Sequence, residues 1–232
     1  MTSVDLDYLK KAAALKASEF VRSGMVVGLG TGSTAKHLLV ALGEQVKAGM
    51  KLRGVPTSQE TAVLAKQAGI PLIDAENRWE IDVAIDGADQ VDPHFNLIKG
   101  GGGALLKEKI VAASAKQFIV MVDHTKQVPV LGGSFPLPIE VIPFGWGSTA
   151  REIEGLTKSR VVLRERNGAP FRTEAGNLIV DVHIDRISQP GELEAALNLI
   201  PGVVETGLFV GRTNVLIVGT PQGVHTLHAP KT

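Results

Sequence analysis

Leu6, Leu9, Ala13, Ala17 and Phe20 recur at helical spacing, so the chain opens with an amphipathic helix that Gly24 ends. MVVGLG (25–30) is an apolar run short enough for a buried strand. A Gly/Thr/Ser turn and a helix over about 33–47 follow. LRGV (52–55), a helix over 58–68 stopped by Gly69, IPLI (70–73) and DVAID (82–86) continue the alternation. After a loop come a helix over 102–116 and FIVMVD (118–123). Short β-branched runs alternating with helical stretches of roughly 10–15 residues predict βαβ units around a parallel sheet covered on both faces.

The pattern changes after about residue 130. VPVLGGSFPLPIEVIPFGWG is rich in Pro and Gly and reads as a crossover. Beyond it lie a helix near 148–156, VVLRE (161–165), a turn at Asn167–Gly168, an alternating NLIVDVHID (177–185) and a helix over 191–199. This mixture with hairpin-like turns predicts a small α+β domain. GLFV (207–210) and NVLIVGT (214–220) read as strands and are candidates to rejoin the first domain.

Composition narrows the chemistry. Of 232 residues, 44 % are apolar and 21 % charged, which fits a globular chain. The formal net charge is +0, which argues against generic nucleic-acid or anionic-membrane binding. With no Cys there is no disulfide, thiol nucleophile or thiolate metal site. No apolar run reaches the roughly 18–20 residues that span a bilayer. The charged N-terminus has no apolar core of a signal peptide, so a cytoplasmic protein is expected. Gly is in excess, 26 of 232 residues, or about 11 % against a usual 7 % or so. Eight of these glycines fall in three loops: Gly28, Gly30 and Gly32; Gly87; and Gly100 to Gly103.

The first loop is GLGTGSTAK (28–36), between a strand and a helix. Crowded backbone N–H groups, the hydroxyls of Ser33 and Thr34 and a helix N-terminus suit a phosphate. An ordinary tight βα turn is the competing reading. GTGSTA also satisfies the dinucleotide pattern G-x-G-x-x-A, but GVPTSQ (54–59) lacks the expected acid, and no Gly-Lys-Ser/Thr marks a P-loop. The second loop, AIDGADQVD (84–92), puts Asp86 and Asp89 at the C-terminal end of a strand, where open α/β sheets bind ligands. A solvated turn competes with this, and so does a metal site of Asp86, Asp89 and Asp92, although the spacing is not that of a calcium loop. The third, LIKGGGGALLKEKIVA (97–112), sets Lys99 before four glycines. Helical spacing gives Glu108 the neighbours Ala104, Val111 and Ala112, an apolar setting suited to a general base. Lys107 and Lys109 oppose that, and a solvated Lys-Glu-Lys face competes evenly. Lys126 follows a strand as either a ligand contact or a surface lysine. His225 and His228 read as surface residues.

An anion cradle, a carboxylate pair, a lysine and a separate glutamate suit proton transfer on a phosphorylated small molecule. GLGTGSTAKHL, AIDGADQVD, LIKGGGGALLKEKIVA, FIVMVDHTKQV, FPLPIEVIPFGW, GNLIVDVH and IPGVVETGLFVG together resemble the type A ribose-5-phosphate isomerases, in order, over residues 5–224. The one departure is Gly103, where some members carry Ala.

The resemblance implies an α/β fold: a Rossmann-like, mostly parallel sheet domain (1–130 plus 206–232) with a smaller inserted α+β domain (131–205). It implies interconversion of ribose 5-phosphate and ribulose 5-phosphate with no cofactor and no metal. It also implies a homo-oligomer, with a dimer favoured over a tetramer. Carried over by motif, Thr31, Gly32, Ser33 and Thr34 form one substrate loop. Asp86, Gly87, Ala88 and Asp89 form a second, and Lys99, Gly100, Gly101 and Gly102 a third. Lys126 is a further contact, and Lys10 is a candidate for the phosphate. Glu108, Asp86, Asp89 and Lys99 are the catalytic set, with Glu108 as base. Two other functions compete. A sugar-phosphate sensor would keep the phosphate loop but would not need Glu108 beside the aspartates and Lys99. A nicotinamide-dependent oxidoreductase would use the same α/β frame.

Overall fold

A computed structural model describes residues 5–74, 76 and 78–229. The described residues fall into two compact units. One takes the residues up to Ala88, Lys107–Lys126 and those from Arg212 onward; the other takes Asp89–Leu106 and Gln127–Gly211. The division therefore cuts through two of the three glycine-bearing loops.

The first unit begins with α1 (Leu6–Ser18). The Asp5 carboxylate caps it, accepting from the N–H groups of Asp7 at 3.0 Å and Tyr8 at 3.3 Å. Leu9, Ala13 and Ala17 form its buried stripe as expected, but the helix stops at Ser18 and Gly24 belongs to the turn beyond it. Then come β1 (Val26–Leu29), α2 (Ser33–Lys47), β2 (Arg53–Pro56), α3 (Gln59–Gln67) and β3 (Val83–Asp86). IPLI does not form the expected strand; only Leu72 makes a single bridge, to Gly54.

Next in the chain are β4 (Gln90–Val91) and β5 (Leu97–Ile98), both in the second unit, and α4 (Leu105–Ala113). The helix expected over 102–116 is shorter because the glycine run stays outside it. Next is β6 (Phe118–Asp123), followed by a 3-10 turn at His124–Lys126.

The second unit continues with β7 (Leu137–Val141), α5 (Trp146–Thr157), β8 (Arg160–Leu163), β9 (Glu165–Arg166), β10 (Ala169–Pro170) and β11 (Leu178–His183). It closes with α6 (Pro190–Asn198), β12 (Val203–Thr206) and β13 (Leu208–Phe209). The stretch read as a crossover thus holds β7, an interior strand of the sheet β12-β7-β11-β8. Pro138 concealed it, since proline rarely occupies an interior strand. Asn167 and Gly168, both at positive φ, turn the β9–β10 hairpin as expected. Leu208–Phe209 pairs with β5 in a three-stranded sheet with β4 instead of rejoining the large sheet.

β14 (Val215–Thr220) and β15 (Gly223–His228) return to the first unit, where β15 is an exposed edge strand carrying His225 and His228. The large sheet has the order β15-β14-β6-β3-β1-β2, with five strands parallel and β15 antiparallel. Strand alternation sorts its side chains. Val27, Leu29, Val83, Ile85, Ile119 and Met121 pack with α1, α2 and α3 in one core. Gly28 and Ala84 face the other side, where Val111 of α4 lies so close to Gly28 that an added Cβ would come within 2.4 Å of it. Each fully buried Leu or Ile here stabilises the unit by roughly 1.5–3 kcal/mol.

Candidate functional site

The parallel strands, taken in chain order, are arranged 2-1-3-4-5, so the direction of winding reverses between β1 and β3. Ligands of doubly wound sheets bind outside the carboxyl ends of the strands at such a point. The Gly30–Thr34 loop leaves β1 there, and Asp86 ends β3.

These two loops are joined by hydrogen bonds. Asp86 is 3 % exposed. Its Oδ1 accepts from the N–H of Thr31 at 3.1 Å and of Gly87 at 2.7 Å. A side chain at Gly30 would place Cβ 2.1 Å from that oxygen, so a glycine is required for the approach. Gly32 stands at the N-cap of α2 with φ +108 and, having no side chain, does not itself cap that helix end. The first-turn N–H groups and the exposed Ser33 hydroxyl therefore face solvent chemistry rather than a protein cap, which suits an anion. Thr34 is buried. Ala88 and Gly87 are half-buried.

Thr31 also anchors a group that sequence reasoning missed. Its Oγ1 lies 2.7 Å from Thr57 Oγ1, 2.9 Å from Ser58 Oγ and 3.1 Å from Thr61 Oγ1. Thr57 donates to Leu29 O at 3.0 Å and Thr61 to Gly30 O at 2.9 Å. Ser58 caps α3 by accepting from the Thr61 N–H. The P-T-S-x-x-T spelling after β2 was the available signal, since a cap after a strand points at the sheet's ligand end.

On α4, Glu108 is 7 % exposed and Lys109 is buried, whereas Lys107 is exposed. The evenly weighed solvated face is therefore not what forms. Glu108, Asp86, Gly28, Gly30, Thr57 and Val111 line one narrow gap, too tight to admit a water molecule. Lys126 ends the 3-10 turn after β6, which Asp123 caps through the Thr125 N–H at 3.0 Å. Lys126 is half-buried, and so is Lys10 on α1.

The remaining expected residues belong to the second unit. Asp89 Oδ2 accepts from the Gly101 N–H at 2.8 Å. Lys99 is 3 % exposed, with Nζ 5.5 Å from the centre of the Phe209 ring. Its own N–H donates to Gly207 O at 2.9 Å. Gly100 has φ +105, and Gly101 and Gly102 are exposed. Asp92 uses its carboxylate to close the β4–β5 turn, accepting from the N–H of His94 and from the N–H and Nδ2 of Asn96. Among the described residues no group of three or more His, Cys, Asp or Glu side chains could hold a metal ion. None of the described helices is long and apolar enough to cross a membrane.

A family model described as ribose 5-phosphate isomerase A (phosphoriboisomerase A) matches residues 53–223. A ribose-5-phosphate isomerase A of Parvibaculum lavamentivorans is 50 % identical over 232 residues, covering 97 % of this chain and 100 % of that protein. A solved D-ribose-5-phosphate isomerase in complex with phospho-erythronic acid is 42 % identical at a TM-score of 0.93, covering 97 % of this chain and 100 % of that one. A ribose 5-phosphate isomerase from Plasmodium falciparum is 37 % identical at a TM-score of 0.94, again over 97 % and 100 %. With the family model spanning more than half of its length and close relatives aligned almost end to end, the chain belongs to the ribose 5-phosphate isomerase A family.

Proposed function

We propose that this aldose–ketose isomerase interconverts D-ribose 5-phosphate and D-ribulose 5-phosphate through an enediolate, with Glu108 as the general base. The observation that carries the reading is the burial of two carboxylates, Glu108 and Asp86, against one gap beside β1 and β3, where the winding reverses. Family membership supports the substrate, and the complex of a relative with phospho-erythronic acid supports a phosphorylated sugar acid as a mimic of it.

The roles follow from chemistry. The furanose opens with the help of Asp86 or Asp89. Glu108 takes the C2 proton of the open aldose, and the electron pair moves into a C1–C2 double bond, leaving negative charge on O1. The Lys99 ammonium and nearby loop N–H groups stabilise that charge. The aspartates pass the hydroxyl proton from O2 to O1, and Glu108 returns its proton to C1, giving the ketose. One carboxylate serves both carbons because the enediolate is planar and presents both on one face. The loop Thr31, Gly32, Ser33 and Thr34, with Lys126, holds the phosphate away from the reacting carbons, so binding energy orients the sugar. Gly87 and Ala88 keep Asp86 and its neighbours at the substrate.

The test is to incubate the protein with ribose 5-phosphate and follow ketose absorbance. Conversion to ribulose 5-phosphate is expected. Binding without conversion would mean a sensor instead of an enzyme.

A further inference from the structure

We infer that Arg164, held by Asp181, is a positioning residue that sets the peptide planes of the Lys99–Gly102 loop for isomerisation. Arg164 follows β8 and Asp181 lies on the neighbouring β11. Neither was singled out by the sequence. The guanidinium divides its donors between two tasks. Nε donates to Asp181 Oδ2 at 2.8 Å and Nη2 to Asp181 Oδ1, a bidentate pair whose side chains are 13 % and 17 % exposed. Nη1 turns the other way and donates to Gly100 O at 2.7 Å and to Gly101 O at 3.3 Å.

A trans peptide is planar, with its C=O and N–H on opposite sides. Drawing the carbonyls of Gly100 and Gly101 to Arg164 therefore turns the N–H groups of Gly101 and Gly102 away from it. The Gly101 N–H meets Asp89 Oδ2 at 2.8 Å, on that opposite side. The Gly102 N–H faces the same side and has no acceptor among the described residues. Three glycines in a row have little conformational preference of their own. The Gly103 N–H, at 3.0 Å from Gly100 O, and Asp89 help to hold the Gly100–Gly101 peptide, while Arg164, through Gly101 O, is what holds the Gly102 N–H in position as a donor to a developing oxyanion, at no reorganisation cost during reaction. Only an arginine can do this, because an ammonium cannot bind a carboxylate side-on and still reach the carbonyls in a fixed plane.

The inference rests on the proposed role of this loop in isomerisation, and the test separates the two. Wild-type turnover of ribose 5-phosphate is measured first, and its absence overturns the proposed function itself. Given normal wild-type turnover, Arg164→Met is expected to lower kcat roughly 10- to 100-fold with little change in KM. Arg164→Lys is expected to fall between the two. Hydrogen exchange followed by mass spectrometry is expected to show faster exchange over residues 99–103 and unchanged exchange elsewhere. Should Arg164→Met fail to fold, Asp181→Asn, which keeps the shape and removes the anchoring charge, carries the same expectation with a smaller fall. An unchanged kcat in a folded Arg164→Met or Asp181→Asn protein overturns the clamp. So does a loss confined to melting temperature.

Discussion

Thr31 shows how a short side chain can organise a site. Its hydroxyl is shared by Thr57, Ser58 and Thr61, and its N–H holds Asp86. Thr31→Val keeps the shape but leaves that hydroxyl group without its common partner. Thr57 and Thr61 keep their carbonyl acceptors and Ser58 keeps Thr61, so the loss is that of ordinary hydrogen bonds, about 0.5–1.5 kcal/mol, and denaturant unfolding should show a loss of that size; equal stability would count against the network. Much of this scale could be read from the chain. Asp86, Lys99 and Glu108 stand out because each adjoins a glycine-rich or apolar run. Arg164 does not, because its partners Gly100 and Gly101 are more than sixty positions away and nothing near it in the chain marks the contact. The hydroxyls of Thr57, Ser58 and Thr61 left only the P-T-S-x-x-T spelling as a signal, and the reading of that stretch stopped at its lack of an acid.

Elements set the precision of that site. Helix α4 carries Glu108 and rests on β1 through Val111 and Gly28. In Gly28→Ala the new methyl would meet Val111 Cγ1 at 2.4 Å and Ala84 Cβ at 2.9 Å, so the helix must move. Overpacking of this kind costs typically 1–3 kcal/mol. Steady-state kinetics should show a lower kcat for Gly28→Ala, and adding Val111→Ala should recover part of it. Recovery of stability without any recovery of kcat would mean that the seat of α4 on β1 does not position Glu108. Helices α2 and α3 and strand β6 were readable from periodicity because each is long and regular. Strands β4 and β5 have two residues each, too few for any period to register, whereas β13, equally short, was marked as a strand by its apolar run but not for its place beside β5. Strand β7 was hidden by its proline, and the end of α1 by a glycine that punctuates the next turn.

At the scale of the whole molecule, the expected α/β class with a mostly parallel sheet is what forms, because alternating apolar runs specify βαβ winding almost by themselves. Its stability carries an acid-sensitive contact. Asp82, ahead of β3, accepts from Lys116 Nζ at 2.8 Å and from the Val26 N–H at 2.9 Å. The Lys116 hydrogen bond first, and then the Val26 N–H, hold its carboxyl below the ordinary 3.8. The same contact raises the Lys116 ammonium above 10.5. A lowered carboxyl favours the folded state above the ordinary value and ceases to do so as pH falls through the folded value; the raised ammonium contributes below 10.5 and is lost as pH rises through its folded value. Asp82→Asn should therefore melt below wild type at pH near neutrality, and the two should converge in acid below the ordinary carboxyl value. A constant offset across that range would contradict the assignment. Because Lys116 is largely exposed, salt should shrink the neutral-pH difference. Activity should also survive exhaustive chelation; loss restored by one divalent ion would revive a metal role for Asp86 and Asp89.

Glu108 is the point on which the proposed chemistry turns, and its exchange for the isosteric amide isolates the proton transfer. The most direct measurement is the rate of ribose 5-phosphate conversion by a folded Glu108→Gln protein, followed by NMR in deuterated water beside wild type. A fall in kcat of roughly 10²- to 10⁴-fold is predicted, with substrate binding retained and with solvent deuterium entering C1 of the ketose in the wild-type reaction. Near-normal turnover by Glu108→Gln would contradict the account.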